Sequence, residues 1–284
     1  MIEKFKTYFL MTALTLFFIF VGGMIAGKGG MIIAFIVAIG MNFYAYYYSD
    51  EMILKHYNAI PVDRDDAPEL YEVVETLSRK ANLPMPKAYV IDDPVPNAFA
   101  TGRDYNHAAV AVTTGILDLL TRDELEGVLA HELSHIKHYD MLIGTIAATI
   151  AGAISIISNF GMFFGGDREN RNFIVDLILM FVAPLAATVI QMAISRSREF
   201  EADKGAALIT KHPEWLQSAL AKLDNYASHA VMHDADPATA HLFIVNPLKA
   251  LKGGFSSWFS THPSTEERIE RLEMIKKELR WHHL

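Results

Sequence analysis

The sequence predicts an α-helical membrane protein with four transmembrane helices and a mainly helical cytoplasmic domain that contains a small β-sheet. Apolar residues make up 51% of the 284 positions. They cluster in four runs, each with the roughly twenty residues that a helix needs to cross about 30 Å of hydrocarbon. The polar remainder shows helical and strand-like patterns separated by turn formers. The four apolar runs cover residues 7–27, 29–49, 141–166 and 173–195.

These runs divide the chain into parts that alternate between membrane and water. Residues 1–49 hold transmembrane helices 1 and 2, and residues 141–195 hold helices 3 and 4. Residues 50–140 and 196–284 are polar. We expect these two polar parts to fold together into one soluble domain, which the second pair of spans interrupts in sequence.

The charge distribution predicts on which side of the membrane the soluble domain lies. Cytoplasmic loops are rich in Lys and Arg, and the two loops on the opposite side are short. We therefore expect a multi-pass protein of the cytoplasmic (inner) membrane, with both termini and the polar domain facing the cytoplasm. The basic residues before the first span and after the fourth are Lys4, Lys6, Arg196, Arg198 and Lys204.

The first polar half has a mixed α/β pattern. Pro68, in a first helical turn, predicts a helix through about Lys80. Three β-prone segments then lie between Pro, Gly, Asp and Asn residues and predict short strands. Thr121 and Glu124 form a capping box, which sets the start of the next helix. The predicted strands cover residues 87–91, 97–101 and 107–115.

The second polar half is predicted to be helical from its start through about Ala227. Residues 230–261 show no clear periodicity and contain many turn formers. Ser264 and Glu267 form a second capping box, which begins a charged final helix that continues to Trp281.

The helix after Thr121 carries the pattern H-E-x-x-H at His131, Glu132 and His135. Histidines four residues apart lie on one helix face, so both can reach one zinc ion at about 2.0–2.1 Å. Glu132 is rotated away from the ligand position and suits a general base for an activated water. Because the short motif also occurs as two surface histidines, a third ligand is needed to support a metal site.

The third ligand is expected from another helix. His138 lies about 10 Å along the helix axis from His131. One helix therefore cannot offer His131, His135 and His138 to the same ion. Met141 stands where the metzincin pattern has a third histidine. If spans 3 and 4 form an antiparallel hairpin, the segment 195–203 returns beside the H-E-x-x-H helix at the same membrane face.

Glu199 and Glu201 compete for the third ligand position in this segment. Glu199 and Asp203 are four residues apart and share a helix face, whereas Glu201 points away. A carboxylate one turn from a ligand can orient a metal-bound histidine. We therefore predict that Glu199 is the ligand and that Asp203 is the orienting residue.

These residues resemble the HtpX family of membrane-integral zinc endopeptidases, within the gluzincins that include the CAAX prenyl protease. The resemblance covers nearly the whole chain. It implies a zinc-protease domain in which His131, His135 and Glu199 bind one zinc ion per chain and Glu132 is the catalytic base. The matching stretches are NAFATG (97–102), HELSH (131–135), SREFEAD (197–203), HLFIVNPL (241–248) and FSTHPSTEERIERL (259–272).

The resemblance further implies proteolytic quality control of misfolded or damaged membrane proteins under stress. The family works alongside the ATP-dependent membrane protease and needs no ATP itself, and GKGG at 27–30 lacks the spacing of a phosphate loop. A net charge of −8 without a basic stripe argues against nucleic acid. The expected partners are unfolded or membrane protein substrates and the lipid bilayer, with neither nucleotide nor nucleic acid.

The segment NAFAT (97–101) alternates small and aromatic residues and is expected to be an exposed edge strand. A peptide laid beside such a strand gains main-chain hydrogen bonds with little demand on its sequence. We predict that Asn97, Ala98 and Phe99 bind the substrate. An ordinary interior strand is the alternative interpretation of the same pattern.

Two residues near the second capping box complete the predicted site. His262 stands just before it and is expected to donate a hydrogen bond to the oxyanion of the tetrahedral intermediate, as the family resemblance implies. Arg268 lies on the final helix and is expected to anchor Glu199 or Asp203. A turn histidine and a surface arginine are the alternatives.

Two other classes of function compete with proteolysis. A membrane adaptor or chaperone would bind clients without cutting them, and zinc content without cleavage would favour it. A metal transporter would need polar ligands inside the spans, and the centres of all four runs lack them. The absence of cysteine excludes disulfides, thiolate catalysis and cysteine zinc sites.

Overall fold

A computed structural model of the chain describes residues 2–146, 196–229, 242–244 and 263–281. In these parts, a long N-terminal helical hairpin precedes a domain of helices packed around a four-stranded sheet. The helices are α1 (Ile2–His56), α2 (Pro68–Ala81), α3 (Thr114–Leu119), α4 (Arg122–His138), α5 (Arg196–Thr210), α6 (Pro213–His229) and α7 (Thr265–Trp281). The strands are β1 (Ile60–Val62), β2 (Lys87–Ile91), β3 (Ala98–Gly102) and β4 (Ala108–Thr113).

Helix α1 is kinked into two halves, Thr7–Met24 and Ala26–His56, and each half is long and apolar enough to cross a membrane. The kink occurs at Gly27, whose φ of +57° lies in the left-handed region that glycine adopts without a Cβ clash. The halves pack against each other, and Asn42 donates a 2.7 Å hydrogen bond to Thr15 across the hairpin. These halves correspond to the first two predicted spans.

The predicted third and fourth spans lie mostly outside the described residues, which resume at residue 196. Residues 140–146, at the start of the third span, are helical. Their buried side chains pack against the first half of α1, so the H-E-x-x-H helix leads directly to a contact with α1. This cluster consists of Leu10, Leu14, Leu142, Ile143 and Ile146.

The sheet has the strand order β1-β2-β4-β3. Strands β2 and β4 are parallel, whereas β1 and β3 pair antiparallel at the two edges. Three of these strands were predicted from sequence, and β1, with only three residues, was missed. Helices α2 and α4 pack over one face, where Leu77, Val110 and Leu129 belong to the main core.

Strand β3 lies at the sheet edge as predicted, but its expected exposure is wrong, because all five of its residues are buried. One face contacts α4. On the other face, Phe99 packs with Tyr57, their ring centroids 5.5 Å apart. Towards the predicted membrane border, the Thr101 and Thr145 hydroxyls are 3.0 Å apart. The strand is therefore enclosed by elements that are distant in sequence.

Helices α4 and α5 lie side by side, as the hairpin argument predicted for the two ligand helices. A side chain at Gly205 of α5 would collide with Ser134 of α4, so glycine permits this close approach. The helical structure predicted through about Ala227 is confirmed, and it consists of two helices. It breaks at Lys211, which has a positive φ of 66°, followed by Pro213 at the start of α6.

The predicted capping box at the start of α4 is confirmed. The Thr121 side chain accepts from the Glu124 amide, and the Glu124 carboxylate accepts from the Thr121 amide. The Glu124 carboxylate also accepts hydrogen bonds from Lys222 at 2.7 Å and from Ser218 at 2.6 Å, both on α6. Burial alone would raise the pKa of Glu124, but Lys222, Ser218 and Thr121 together lower it to about 2.

We predict that Glu124→Gln lowers the free energy of unfolding by about 1–3 kcal/mol at pH 7, because a carboxylate pKa below its unfolded value stabilises the fold. This stabilisation is complete above the unfolded pKa of 4.5. It is lost as the pH falls towards 2, so the parent and variant should converge in acid. Thermal unfolding in detergent across this pH range measures the difference. The exposed Asp123→Asn variant is the control and should change stability by less than about 1 kcal/mol.

Candidate metal centre

Three side chains predicted to bind metal meet between α4 and α5. The Nε2 atoms of His131 and His135 are 3.1 Å apart. Glu199 places Oε2 3.7 Å from the first nitrogen and Oε1 3.4 Å from the second. Ligand atoms about 2.1 Å from one tetrahedral ion are about 3.4 Å from one another. The spacing therefore fits a single divalent metal ion.

The other ring nitrogens of both histidines face carboxylates. Nδ1 of His131 lies 3.0 Å from Asp203, and Nδ1 of His135 lies 3.0 Å from Asp140. These contacts favour a proton on each Nδ1 and leave the Nε2 lone pairs for a metal. Two lone pairs 3.1 Å apart repel each other unless a proton or a cation lies between them, so the donor set fits a cation.

Among the described residues, Arg268 of α7 is the largest fully buried side chain, and it binds Asp203 through two nitrogens. Its Nε and Nη2 donate to the two carboxylate oxygens at 2.9 and 2.7 Å. Burial opposes ionisation of Asp203, but Arg268 outweighs it and lowers the pKa of this carboxyl. Arg268 is also 3.9 Å from Glu199. The arginine thus joins α7 to both acidic residues that were predicted as its partners.

Glu132 lines the same cavity as the three ligands and is 6% exposed. Its Oε2 accepts a 2.8 Å hydrogen bond from the Ala100 amide of β3. Burial raises the pKa of Glu132 to about 7, with a further increase from the charge of Glu199. A carboxylate of this kind can both take up and release a proton near neutral pH.

The two histidines have different protonation equilibria. Burial lowers the pKa of His131, which favours the neutral ring that binds a metal. Burial also acts to lower the pKa of His135, but Asp140 and Glu199 outweigh it and raise the pKa to about 9. In the metal-free chain, a proton therefore competes with a cation for the space between the rings.

Strand β3 runs along the site with one set of main-chain groups turned towards it. In an antiparallel pair, alternate residues direct their amide and carbonyl groups to the same side. Because the Ala100 amide points away from β4 to Glu132, the main-chain groups of Ala98 face the same side. The Phe99 main chain instead faces β4, and the residue is part of the cavity lining.

The segment 242–244 forms another wall of the cavity, which has a volume of about 70 Å³. The Asn97 side chain contacts Leu242 O and Ile244 N, each at 3.4 Å. Arg268 donates to Ile244 O at 3.0 Å. This segment therefore lies across the site, joined to both β3 and α7.

The structure brings most of the predicted site residues together and separates the rejected alternatives from them. Glu199 is buried and faces the histidines, whereas Glu201 and His138 are exposed. The predicted oxyanion donor, His262, lies outside the described residues. The predicted residues that line the cavity are Phe99, His131, Glu132, His135 and Glu199. Asn97, Asp203 and Arg268 contact residues of this lining, and Ala98 precedes Phe99 on β3.

Sequence reasoning missed two parts of the site. Asp140 contacts His135, and a search for a carboxylate to orient the second histidine would have pointed to this residue at the end of the motif helix. Residues 242–244 are joined to the site by hydrogen bonds that span about 145 positions. A local pattern carries no signal for contacts of that range.

Comparison with known proteins identifies the family of this chain. Residues 64–276 match the model of Peptidase family M48. A protein named Protease HtpX homolog from Sulfurovum sp. (strain NBC37-1) is 65% identical, covering 96% of this chain and 100% of its own. Relatives of the same name from Campylobacter hominis and Burkholderia thailandensis are 56% and 55% identical. They cover 98% and 94% of this chain and 100% and 95% of their own.

A solved structure supports the fold independently. The crystal structure of S. mikatae Ste24p matches 96% of this chain with a TM-score of 0.52 at 16% identity. The chain spans 65% of the length of that protein, slightly under two thirds. Together with the two apolar N-terminal helices, these similarities indicate a membrane protease. The family match over most of the chain and the high identity to the relatives show that the protein belongs to peptidase family M48, with the HtpX-type proteases.

Proposed function

We propose that this protein is a zinc-dependent endopeptidase of the cytoplasmic membrane that cleaves misfolded or damaged membrane proteins under stress, without ATP. The observation that carries the proposal is the convergence of His131, His135 and Glu199 on one space. Glu132 lines the same cavity, and an edge strand runs along it. The family likeness supports a role alongside an ATP-dependent membrane protease.

Zinc is the proposed ion because two imidazoles and one carboxylate form a common catalytic zinc site with a fourth position open to substrate or water. When bound, zinc supplies a Lewis acid that polarises a carbonyl and makes water acidic at neutral pH. Asp203 and Arg268 support this site from outside, because they hold His131 in the orientation that directs Nε2 towards Glu199.

Glu132 is the proposed general base. The Ala100 amide fixes one of its oxygens, so the other is held in place to take a proton from the attacking water and return it to the leaving amine. His262 is the proposed donor to the oxyanion. It stands three positions before the start of α7, and Arg268 of that helix already reaches Asp203, which supports placing this end of α7 beside the site.

The proposed substrate is an unfolded peptide segment that adds to β3 as an extended strand. The outward main-chain groups of Ala98 and the carbonyl of Ala100 offer hydrogen bonds without selecting a sequence, whereas the Ala100 amide is bonded to Glu132. Met141 and Gly144 of the predicted third span also line the cavity, which supports clients drawn from the membrane.

We predict that Glu132→Gln keeps one zinc ion per chain but lowers the rate of casein cleavage by about 10²–10⁴-fold, because an amide cannot accept the proton. Elemental analysis and labelled casein in detergent measure the two quantities. Glu126→Gln, on the same helix and near Arg122 at 3.6 Å, is the control and should retain the parental rate. Parental cleavage by Glu132→Gln would rule out the assigned base, and a zinc-loaded parent that never cleaves would favour a client-binding module.

We predict that removing the metal with a chelator abolishes cleavage and that one equivalent of Zn²⁺ restores it. Loss of a residue that supports a metal ligand from outside typically weakens metal binding by about 10–100-fold. Glu199→Gln removes a ligand itself and should weaken zinc binding by more than that. Glu201→Gln should bind zinc like the parent, because this residue is exposed. Undiminished cleavage by metal-free protein, or equal zinc affinity in both variants, would contradict the assignment.

We predict that the main-chain amides of the substrate contribute to cleavage only at alternate residues. Two otherwise identical peptides would carry backbone N-methyl groups at the second or the third residue before the scissile bond. The peptide whose methylated amide faces β3 should lose about three- to tenfold in kcat/KM, because each hydrogen bond contributes about 0.5–1.5 kcal/mol. The other peptide should be cleaved like the unmodified one, and equal losses in both would count against strand addition.

A further inference from the structure

The geometry points to a further positioning residue: we infer that Asp140 holds His135 in the orientation that binds the metal. This inference rests on the proposed metal centre. The Asp140 side chain is 5% exposed, and its Oδ2 lies 3.0 Å from Nδ1 of His135. Its Oδ1 lies 3.6 Å from Nε of Arg198.

The backbone at Tyr139 makes this contact available. In a continuous helix, residues five positions apart are separated by about 140° around the axis, so Asp140 would point away from His135. Helix α4 instead ends at His138, and Tyr139 adopts a left-handed conformation with a φ of +63°. Helical structure resumes at Asp140. This break turns the Asp140 carboxylate back towards the ligand.

A tyrosine is an unusual residue for a left-handed position, because its Cβ crowds the backbone there. The neighbouring structure supports the conformation. The Tyr139 amide donates to carbonyls of His135 and Ile136, and its ring lies 5.3 Å from the ring of Tyr105 in the β3–β4 turn. The position of Asp140 is therefore set by packing on the sheet as well as by helix α4.

Arg198 connects Asp140 to the second ligand helix. It immediately precedes Glu199 on α5, so the pair Asp140–Arg198 joins the helix of His135 to the helix of Glu199. The other histidine has a related arrangement with different residues, in which the arginine is hydrogen-bonded to the carboxylate at 2.9 and 2.7 Å. On that side, His131 contacts Asp203, and Asp203 binds Arg268. Each ligand histidine thus contacts one carboxylate, and each carboxylate contacts one arginine.

This arrangement affects metal binding in two ways. A carboxylate on Nδ1 fixes the tautomer that presents Nε2 to the metal, and it increases the basicity of the ring. Loss of such a partner typically costs about 10–100-fold in metal affinity. Because Asp140 is the first residue of the helical segment that continues into the predicted third span, the orientation of His135 depends on where that segment begins.

The test measures zinc affinity of the full-length protein in detergent by competition with a chromophoric chelator. Asp140→Ala should bind zinc about 10–100-fold more weakly than the parent. Asp140→Asn should lose less, because its amide oxygen can still accept the His135 hydrogen bond without the charge. Glu201→Gln removes an exposed carboxylate from α5 and is the matched control, with parental affinity expected. The Co²⁺-loaded Asp140→Ala protein should show a visible absorption spectrum altered by the reoriented ligand.

Parental zinc affinity in Asp140→Ala, or the same affinity in Asp140→Ala and Glu201→Gln, would overturn the inference. If Asp140→Ala does not fold, the isosteric Asp140→Asn decides: parental zinc affinity with a parental cobalt spectrum also overturns it. Neither readout requires proteolysis. A parent protein that binds zinc but never cleaves a substrate would therefore count against the proposed function and leave this inference standing.

Discussion

The repulsion among four carboxylates buried around the metal centre is the constraint on which the rest of the arrangement depends. All four residues are less than a tenth exposed. Burying an unpaired charge costs several kcal/mol. When all four are ionised and both histidines are neutral, two guanidinium groups among the described residues of the site, Arg198 and Arg268, offset half of this charge. One divalent cation would neutralise the remainder. The four carboxylates belong to Glu132, Asp140, Glu199 and Asp203.

Much of this site could be predicted from sequence because its parts are local helical patterns. The spacing of His131 and His135 is a property of one helix, and the four-residue spacing of Glu199 and Asp203 distinguished Glu199 from Glu201. The capping box at Thr121 set the start of the motif helix within one residue. Strands β2 to β4 were equally visible, because turn formers separate short apolar segments. These signals require no knowledge of which elements meet in space.

The features that were missed depend on backbone exceptions or on distant contacts. Asp140 reaches His135 through the left-handed Tyr139, which helical periodicity does not anticipate. The burial of β3 depends on Tyr57, which precedes all four strands in sequence, and on Thr145, which follows them. The three-residue strand β1 is too short to show alternation, and it is identified only by its pairing with β2.

The contacts between the membrane hairpin and the soluble domain explain why the site cannot be treated as independent of α1. Leu10 and Leu14 of α1 pack against residues 140–146, and this segment begins with the carboxylate that contacts His135. On the sheet side, Arg103 of the β3–β4 turn lies over the Tyr47 ring, 5.4 Å from its centroid. A displacement of α1 would therefore act on both walls of the cavity, because the helical segment and β3 would lose a common support. A bilayer that held the two halves of α1 in place would therefore contribute to the geometry of a candidate metal centre that contains no residue of α1.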